Sequence, residues 1–203
     1  MRDDGEEVLV VPRSVVESIG MFNGLEFGVD RYLPVLMDPS NHRFLPRGRV
    51  EGDPAWKQLI PYFVILCGDK VWFYVRSGRS GEGRLVARLS IGVGGHINRG
   101  DAGGAASVYE AGARRELEEE VRLPQVLGQR VGAILNDDSN PVGQVHLGVV
   151  HVVRVAVPEV VALEDTVTES GFASEPELGR RVQEMETWSQ MCFRNLGRLT
   201  KVL

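Results

Sequence analysis

Four acids in five positions, Glu116, Glu118, Glu119 and Glu120, stand in the run Arg114-Arg-Glu-Leu-Glu-Glu-Glu-Val-Arg122. In a helix, at 100° per residue, Glu116, Glu119 and Glu120 fall at i, i+3 and i+4 and share one face. Leu117 and Val121 lie beside that face, so a carboxylate stripe borders an apolar stripe, whereas Glu118, Arg114 and Arg122 turn the other way. Three like charges at a core edge repel one another, by about 1 kcal/mol per pair at 4 Å in water and several times more when partly buried. Something positive has to compensate. Hard divalent cations such as Mg²⁺ or Mn²⁺ prefer oxygen donors and commonly complete their shell with phosphate. The helix alone fits a solvated surface helix equally well, and it leaves both readings open.

The residues around it resemble the Nudix family. In that family's box, G-x5-E-x7-R-E-U-x-E-E-x-G-U with U an aliphatic residue, the segment R-E-U-x-E-E falls on Arg115 to Glu120 without a gap. Gly94-Gly95-His-Ile-Asn-Arg-Gly100-Asp101 is similar to the first half, a double glycine ending a strand, here Ser90 to Val93. Three departures stand out. With Gly95 as the first glycine, the first acid is Asp101, one methylene shorter than the usual Glu. Between Asp101 and Arg115 lie 13 residues, where the family has seven. Arg122 replaces the glycine after the helix, so the left-handed helix end that glycine permits is not ensured.

The resemblance implies an α+β protein, an α/β/α sandwich with a mixed sheet. It also implies a pyrophosphohydrolase that cleaves a nucleoside diphosphate linked to another moiety and uses Mg²⁺ or Mn²⁺, which offsets pyrophosphate charge and lowers the pKa of water. Carried over position by position, Glu116, Glu119 and Glu120 become metal ligands, and Glu119 or Glu120 also orients or deprotonates the attacking water. Gly95 offers its carbonyl to the metal, and Arg115 braces a helix glutamate. Such enzymes often take a further acid from a later loop; Glu164 and Glu169 are the candidates, with Glu169 favoured because Ser-Gly-Phe-Ala follows it. Arg76, Arg84 and His96 are candidates for binding substrate. The alternative is a Nudix-like module that binds a nucleotide and regulates without hydrolysis. Retention of all three helix glutamates argues against it. Isomerase chemistry on an allylic diphosphate would need a thiol in the pocket, and Cys67, in a buried-strand run, is poorly placed.

These side chains need elements to hold them. Residues 7–12 read as a strand and 14–19 as a helical turn, while 20–56, rich in Gly, Pro, Asn and Asp, has no sustained period and reads as a loop-rich extension. Residues 58–67 and 71–76 form a hairpin around Gly68-Asp69-Lys70. Leu89 to Val93 is a further strand, and Ser107 to Arg122 a helix stopped by Pro124. Strands at 130–136 and 145–157 flank a polar turn, Asn136 to His146. A final helix from Glu175 to Leu196 places Leu178, Val182, Met185, Trp188 and Cys192 at helical spacing. The predicted organisation is an N-terminal extension, 1–57, and a Nudix domain, 58–203.

The composition sets the outer bounds. Among 203 residues, 23 are basic and 28 acidic, for a net charge of −5, which disfavours a nucleic-acid grip. Twenty of the 23 basic residues are arginine, so anion binding would fall to guanidinium groups. Two cysteines are too few for a disulfide framework. No apolar run reaches the roughly 18 residues of a membrane span, and the start lacks a signal-peptide pattern. The expected protein is cytoplasmic, binds a small nucleotide derivative without nucleic acid or membrane, and has room for a homodimer.

Overall fold

Alternating runs of β-branched residues and turn formers divide the chain, in a computed structural model, into eleven strands and eight helices among the described residues, 5–76, 88–103 and 107–203. In chain order they are β1 (Glu7–Pro12), α1 (Arg13–Ile19), β2 (Gly24–Glu26), α2 (Val29–Leu36), β3 (Arg43–Pro46), α3 (Arg47–Val50), β4 (Trp56–Cys67), β5 (Lys70–Arg76) and β6 (Leu89–Ser90). There follow α4 (Val108–Glu120), β7 (Val121–Arg122), β8 (Val126–Asn136), α5 (Pro141–Gln144), β9 (His146–Val155), β10 (Val161–Ala162), β11 (Val167–Ser174), α6 (Glu175–Gly179), α7 (Thr187–Arg194) and α8 (Leu196–Leu199). Strands pair in the order β11-β5-β4-β9-β8-β2, with β1 joined to β3 and β4, and β6 to β5. The α+β class and mixed sheet expected from the sequence hold. No described helix is long and apolar enough to cross a membrane.

The contacts divide the chain into two compact units. One comprises Met1–Pro61, Gly94–Glu116 and Ala133–Val150. In it β1 runs antiparallel to β3, with Leu9 opposite Phe44, and to β4, with Val10 opposite Gln58. Val8, Val10 and Val50 form a buried cluster under Leu45 and Trp56. Lys57 is fully buried, and its Nζ donates to Asn136 Oδ1 (2.7 Å), Asp138 Oδ1 (2.8 Å) and the Gly143 carbonyl (2.9 Å). One cation thereby ties down the polar turn 136–146. A Cβ on Gly143 would lie 1.8 Å from the Asp137 carbonyl oxygen, so only glycine fits that turn.

The other unit comprises Tyr62–Val93, Leu117–Gly132 and His151–Leu203. Here the end of β4 and β5 make the predicted hairpin, Leu66 opposite Val71, turning at Gly68 with φ +59°. β11 lies along β5, Phe172 opposite Trp72. Glu186 accepts hydrogen bonds from Tyr62 Oη (2.8 Å), Ser90 Oγ (3.1 Å) and Ser189 Oγ (2.9 Å). Both cysteines are free, and burial pushes the Cys192 thiol up.

Four sequence readings change. The stretch 20–56, read as loop, contains β2, α2, β3 and α3; segments of three to eight residues are too short to show a period, and Pro34 sits inside α2. The 89–93 strand shortens to β6, with Val93 making an isolated bridge to Phe63. The box helix ends at Glu120 rather than Arg122, because Val121 and Arg122 pair with Ala162 and Val161. The final helix breaks into α6, a 3-10 turn at Val182–Glu184, α7 and α8. Met185 is extended there, bridging to Leu89, and the Glu186 N–H donates to the Leu89 carbonyl at 3.1 Å.

Candidate active site

The helix α4 begins with reciprocal hydrogen bonds between Ser107 and Glu110, in which Ser107 Oγ accepts the Glu110 N–H (3.2 Å) and Glu110 accepts the Ser107 N–H (3.1 Å). This is a capping box, and it satisfies donors the first turn would otherwise leave open. The buried residues of α4 are Tyr109, Gly112, Ala113 and Glu116, a stripe at i, i+3, i+4 and i+7. Glu116 thus occupies the last core position of the helix, a stronger statement than the border position expected from the sequence. Glu119 is exposed and Glu120 half-buried.

Around Glu116 the first unit assembles a tight charge network. Arg115 donates to both carboxylate oxygens of Asp101, Nε to Oδ1 at 2.7 Å and Nη2 to Oδ2 at 2.9 Å. Its Nη1 donates to Glu116 Oε1 (2.8 Å) and Nη2 to the His96 carbonyl (2.9 Å). Arg115 therefore braces a helix glutamate, as the resemblance implies, and it also clamps the glycine loop. Asp101 additionally accepts the Asn98 N–H at 2.8 Å. Burial raises the cost of its charge, yet Arg115 and the Asn98 N–H together hold its carboxyl below the ordinary range. Gly112 makes room for this acid: a Cβ there would meet Asp101 Oδ2 and Ile97 at 2.7 Å.

Gly95 lies directly against Glu116. A Cβ on Gly95 would fall 2.1 Å from Glu116 Oε2 and 2.6 Å from its carboxyl carbon. The backbone of the glycine loop and the buried helix carboxylate share one small space. Next to it, His96 Nε2 lies 3.3 Å from His146 Nε2, while His146 Nδ1 donates to the Val142 carbonyl at 2.7 Å. Burial, with Arg47 and His146 nearby, pushes the His96 pKa well below the ordinary value, so its imidazole is neutral.

The second unit holds the rest of the expected residues. Arg76, the last residue of β5, reaches Glu120 Oε2 at 3.5 Å and Glu164 Oε2 at 3.4 Å, with its guanidinium 5.2 Å from the Tyr74 ring centre. Glu164 rather than Glu169 is therefore the late acid that the structure brings into this group. Glu169 instead pairs with Arg181, at 2.7 and 3.1 Å, in a surface cluster with Glu184. Arg84 lies outside the described residues. Among the described residues, no three His, Cys, Asp or Glu side chains form a ready cation cage. Glu116 and Glu120 face arginines.

Sequence reasoning missed three features. The Asp101 clamp spans the unusual insertion, and the Glu164 link depends on the short β7–β10 pairing. The Lys57 tether was hidden because a lysine in an apolar strand carries no periodic signal.

No protein-family model matches the sequence. The chain is 35% identical over 195 residues to Protein YmaB of Bacillus subtilis (strain 168), covering 91% of this chain and 94% of that protein. Among solved structures it is similar to Tm1382, described as a Nudix hydrolase, with a TM-score of 0.77 and 27% identity over 94% of this chain and 98% of that one. DR0079 from Deinococcus radiodurans shares the fold alone, with a TM-score of 0.52 at 15% identity over 68% of this chain and 81% of that one. Together with the box residues on the glycine loop and on α4, the likeness to Tm1382 over nearly the whole chain leads to one conclusion: the chain belongs to the Nudix hydrolase family, enzymes that act on phosphoanhydride bonds.

Proposed function

We propose that the protein is a divalent-cation-dependent pyrophosphohydrolase of a small nucleoside diphosphate derivative. The observation that carries this reading is the contact of Gly95 with Glu116, which brings box glycine and box glutamate together despite the insertion between them. Glu116, Glu119 and Glu120, on one helix, with the Gly95 carbonyl, would hold Mg²⁺ or Mn²⁺; Glu164, which shares Arg76 with Glu120, is the candidate late acid in the second unit. A cation bound there supplies charge that offsets the pyrophosphate and acidifies water.

The chain's own residues do the rest. Arg115 fixes the Glu116 carboxylate and holds the His96 carbonyl, so the glycine loop keeps its place beside the helix. Glu119, exposed at the helix surface, orients the attacking water and accepts its proton. Arg76 offers a planar donor fork to a phosphate oxygen. His96, neutral and adjacent to Gly95, can donate to or accept from the substrate but adds no charge.

A panel of nucleoside diphosphate sugars, dinucleoside polyphosphates, nucleoside triphosphates and NAD(H), assayed for phosphate-containing products with and without Mn²⁺, tests the proposal. Metal-dependent cleavage of at least one at its phosphoanhydride bond is expected. Binding of these compounds by folded protein with no turnover of any would replace the hydrolase by a nucleotide-sensing module.

A further inference from the structure

The strand β8 is eleven residues long, and its two sides are covered unequally. One side follows β9 in the sheet; on the other, β2 pairs only with Ile134, Leu135 and Asn136. Among the described residues no other strand pairs with that outer side, so residues 126–132, Val126-Leu-Gly-Gln-Arg-Val-Gly132, form an open edge about 23 Å long at 3.3 Å per residue. Its row of main-chain donors and acceptors is a template for another strand, and the usual guards of such an edge, proline and lysine, are absent from it. The edge is also apolar. Leu127 is 60% and Val126 43% exposed, and the exposed Val157 follows Ala156, whose N–H donates to the Gln125 carbonyl at 2.9 Å. The exposed Leu203 lies 3.4 Å from where a Cβ on Gly128 would sit. Four of the seven large apolar side chains exposed among the described residues thus gather at the start of one strand, a concentration that marks an association site rather than scattered exposure.

We propose that this edge joins two copies of the chain, β8 against β8, antiparallel about a two-fold axis at Gln129. The residues of the edge select that occupant and that register. A two-fold axis perpendicular to the sheet makes one residue its own opposite; centred on Gln129, it sets Leu127 across from Val131 of the second copy, Val126 across from Gly132 and Arg130 across from Gly128. Each apolar side chain then meets an apolar one or a glycine, and the two arginines stay apart. An axis at Arg130 would set two guanidinium groups against each other, and one at Gly128 would set Val126 against Arg130. Gly128 and Gly132 have no side chain to hold the second strand off. Gln129 Nε2 lies 3.4 Å from His151 Nδ1, on the face of the sheet and clear of the edge. The four apolar side chains expose roughly 300 Å² per copy, below the about 800 Å² per partner of a standard interface until the paired main chain is added, which suits a dimer of micromolar strength. Association of this kind is independent of the hydrolytic reaction.

Sedimentation velocity of the full chain from about 5 to 500 μM should show a monomer–dimer equilibrium. Leu127→Lys places a charge on the edge and should weaken association by about tenfold or more, with the Tm of the dilute protein unchanged. Gln129→Cys, mildly oxidised, should give a reducible covalent dimer, because its two thiols face each other across the axis. Leu127→Cys should not, since its thiols stand four residues apart, about 13 Å along the strands. Wild type, with Cys67 and Cys192 alone, is the oxidation control, and thermal melts confirm that each variant is folded. If Leu127→Lys fails to fold, the two cysteine variants decide. A wild type that stays monomeric over the whole range overturns self-association and leaves the edge to a strand from a different protein. A dimer that folded Leu127→Lys leaves intact, or one cross-linked by Leu127→Cys and not by Gln129→Cys, overturns the β8 pairing.

Discussion

Gly95→Ala separates function from stability in a way the geometry makes quantitative. The added Cβ would sit 2.1 Å from Glu116 Oε2 and 3.1 Å from Oε1. A contact of about 3 Å or more is required, so the carboxylate must retreat by roughly 1 Å, at the end of a flexible side chain whose displacement costs little. That movement breaks the 2.8 Å bond from Arg115 to Glu116, a charge-assisted contact worth about 1 to 3 kcal/mol when partly buried. Arg115 keeps its two bonds to Asp101, so the net loss of stability should be about 1 kcal/mol. Turnover should fall at least about 100-fold, since displacement by 1 Å is enough to spoil a catalytic geometry. Gly143→Ala is the contrast: its Cβ would meet a backbone carbonyl at 1.8 Å, which cannot step aside, so that variant should lose several degrees of Tm or fail to fold. The assays are thermal melts and kcat/KM on a cleaved substrate. A Gly95→Ala protein with near wild-type kcat/KM would refute the claim that Gly95 and Glu116 act as one unit. One that melts lower than Gly143→Ala would refute the steric ranking.

Three further outcomes follow from the charge and burial pattern. Asp101→Asn removes the buried acid that Arg115 grips twice and should cost about 2 kcal/mol; because the folded carboxyl ionises below its unfolded range, its stabilisation is present above about pH 4 and fades as pH falls through the folded value, so the variant should show a shallower acid-side decline in urea melts. His151, stacked 4.7 Å from Phe63, has its imidazole pushed by burial down from 6.5 to about 4, so the unfolded chain takes the proton first and stability should drop by about 3 kcal/mol between those pH values; His151→Phe should remove that slope, and an unchanged slope would contradict it. Gln58 is fully buried with neither side-chain polar atom hydrogen-bonded among the described residues, so Gln58→Met should raise stability by about 1 kcal/mol, and a clear fall in Tm would show that the amide has a partner there.

What the sequence disclosed was local. Glu116, Glu119 and Glu120 share a helix face by spacing alone, and the hairpin at Gly68 follows from residues that adjoin one another. Of the five residues at helical spacing, Leu178, Met185 and Cys192 are buried although the helix is broken, because seven-residue steps survive an extended Met185, whereas Val182 and Trp188 are half-buried. The tether that breaks it, Glu186 to Tyr62 and Ser90, joins residues about a hundred positions apart and leaves no periodic trace. That Glu164 and Glu120 share Arg76, while Glu169 pairs with Arg181, is hidden on the same ground. The place of Glu164 is set by a two-residue pairing of Val161 and Ala162 with the helix end, too short to register as a strand. The shorter first acid, Asp101, sits at the end of the 3-10 turn Arg99–Asp101, where its carboxylate is gripped by Arg115 fourteen residues on, a pairing across the insertion that no local pattern announces.

The most direct test of the central claim, that the α4 carboxylates hold the cation on which hydrolysis depends, is a paired measurement on wild type and Glu119→Gln. Mn²⁺ affinity and the rate of phosphoanhydride cleavage are measured on samples whose melts coincide. The predicted result is Mn²⁺-dependent cleavage by the wild type, with both Mn²⁺ binding and cleavage lost or cut by several orders of magnitude in Glu119→Gln at unchanged Tm. Near-normal cleavage by Glu119→Gln would contradict it.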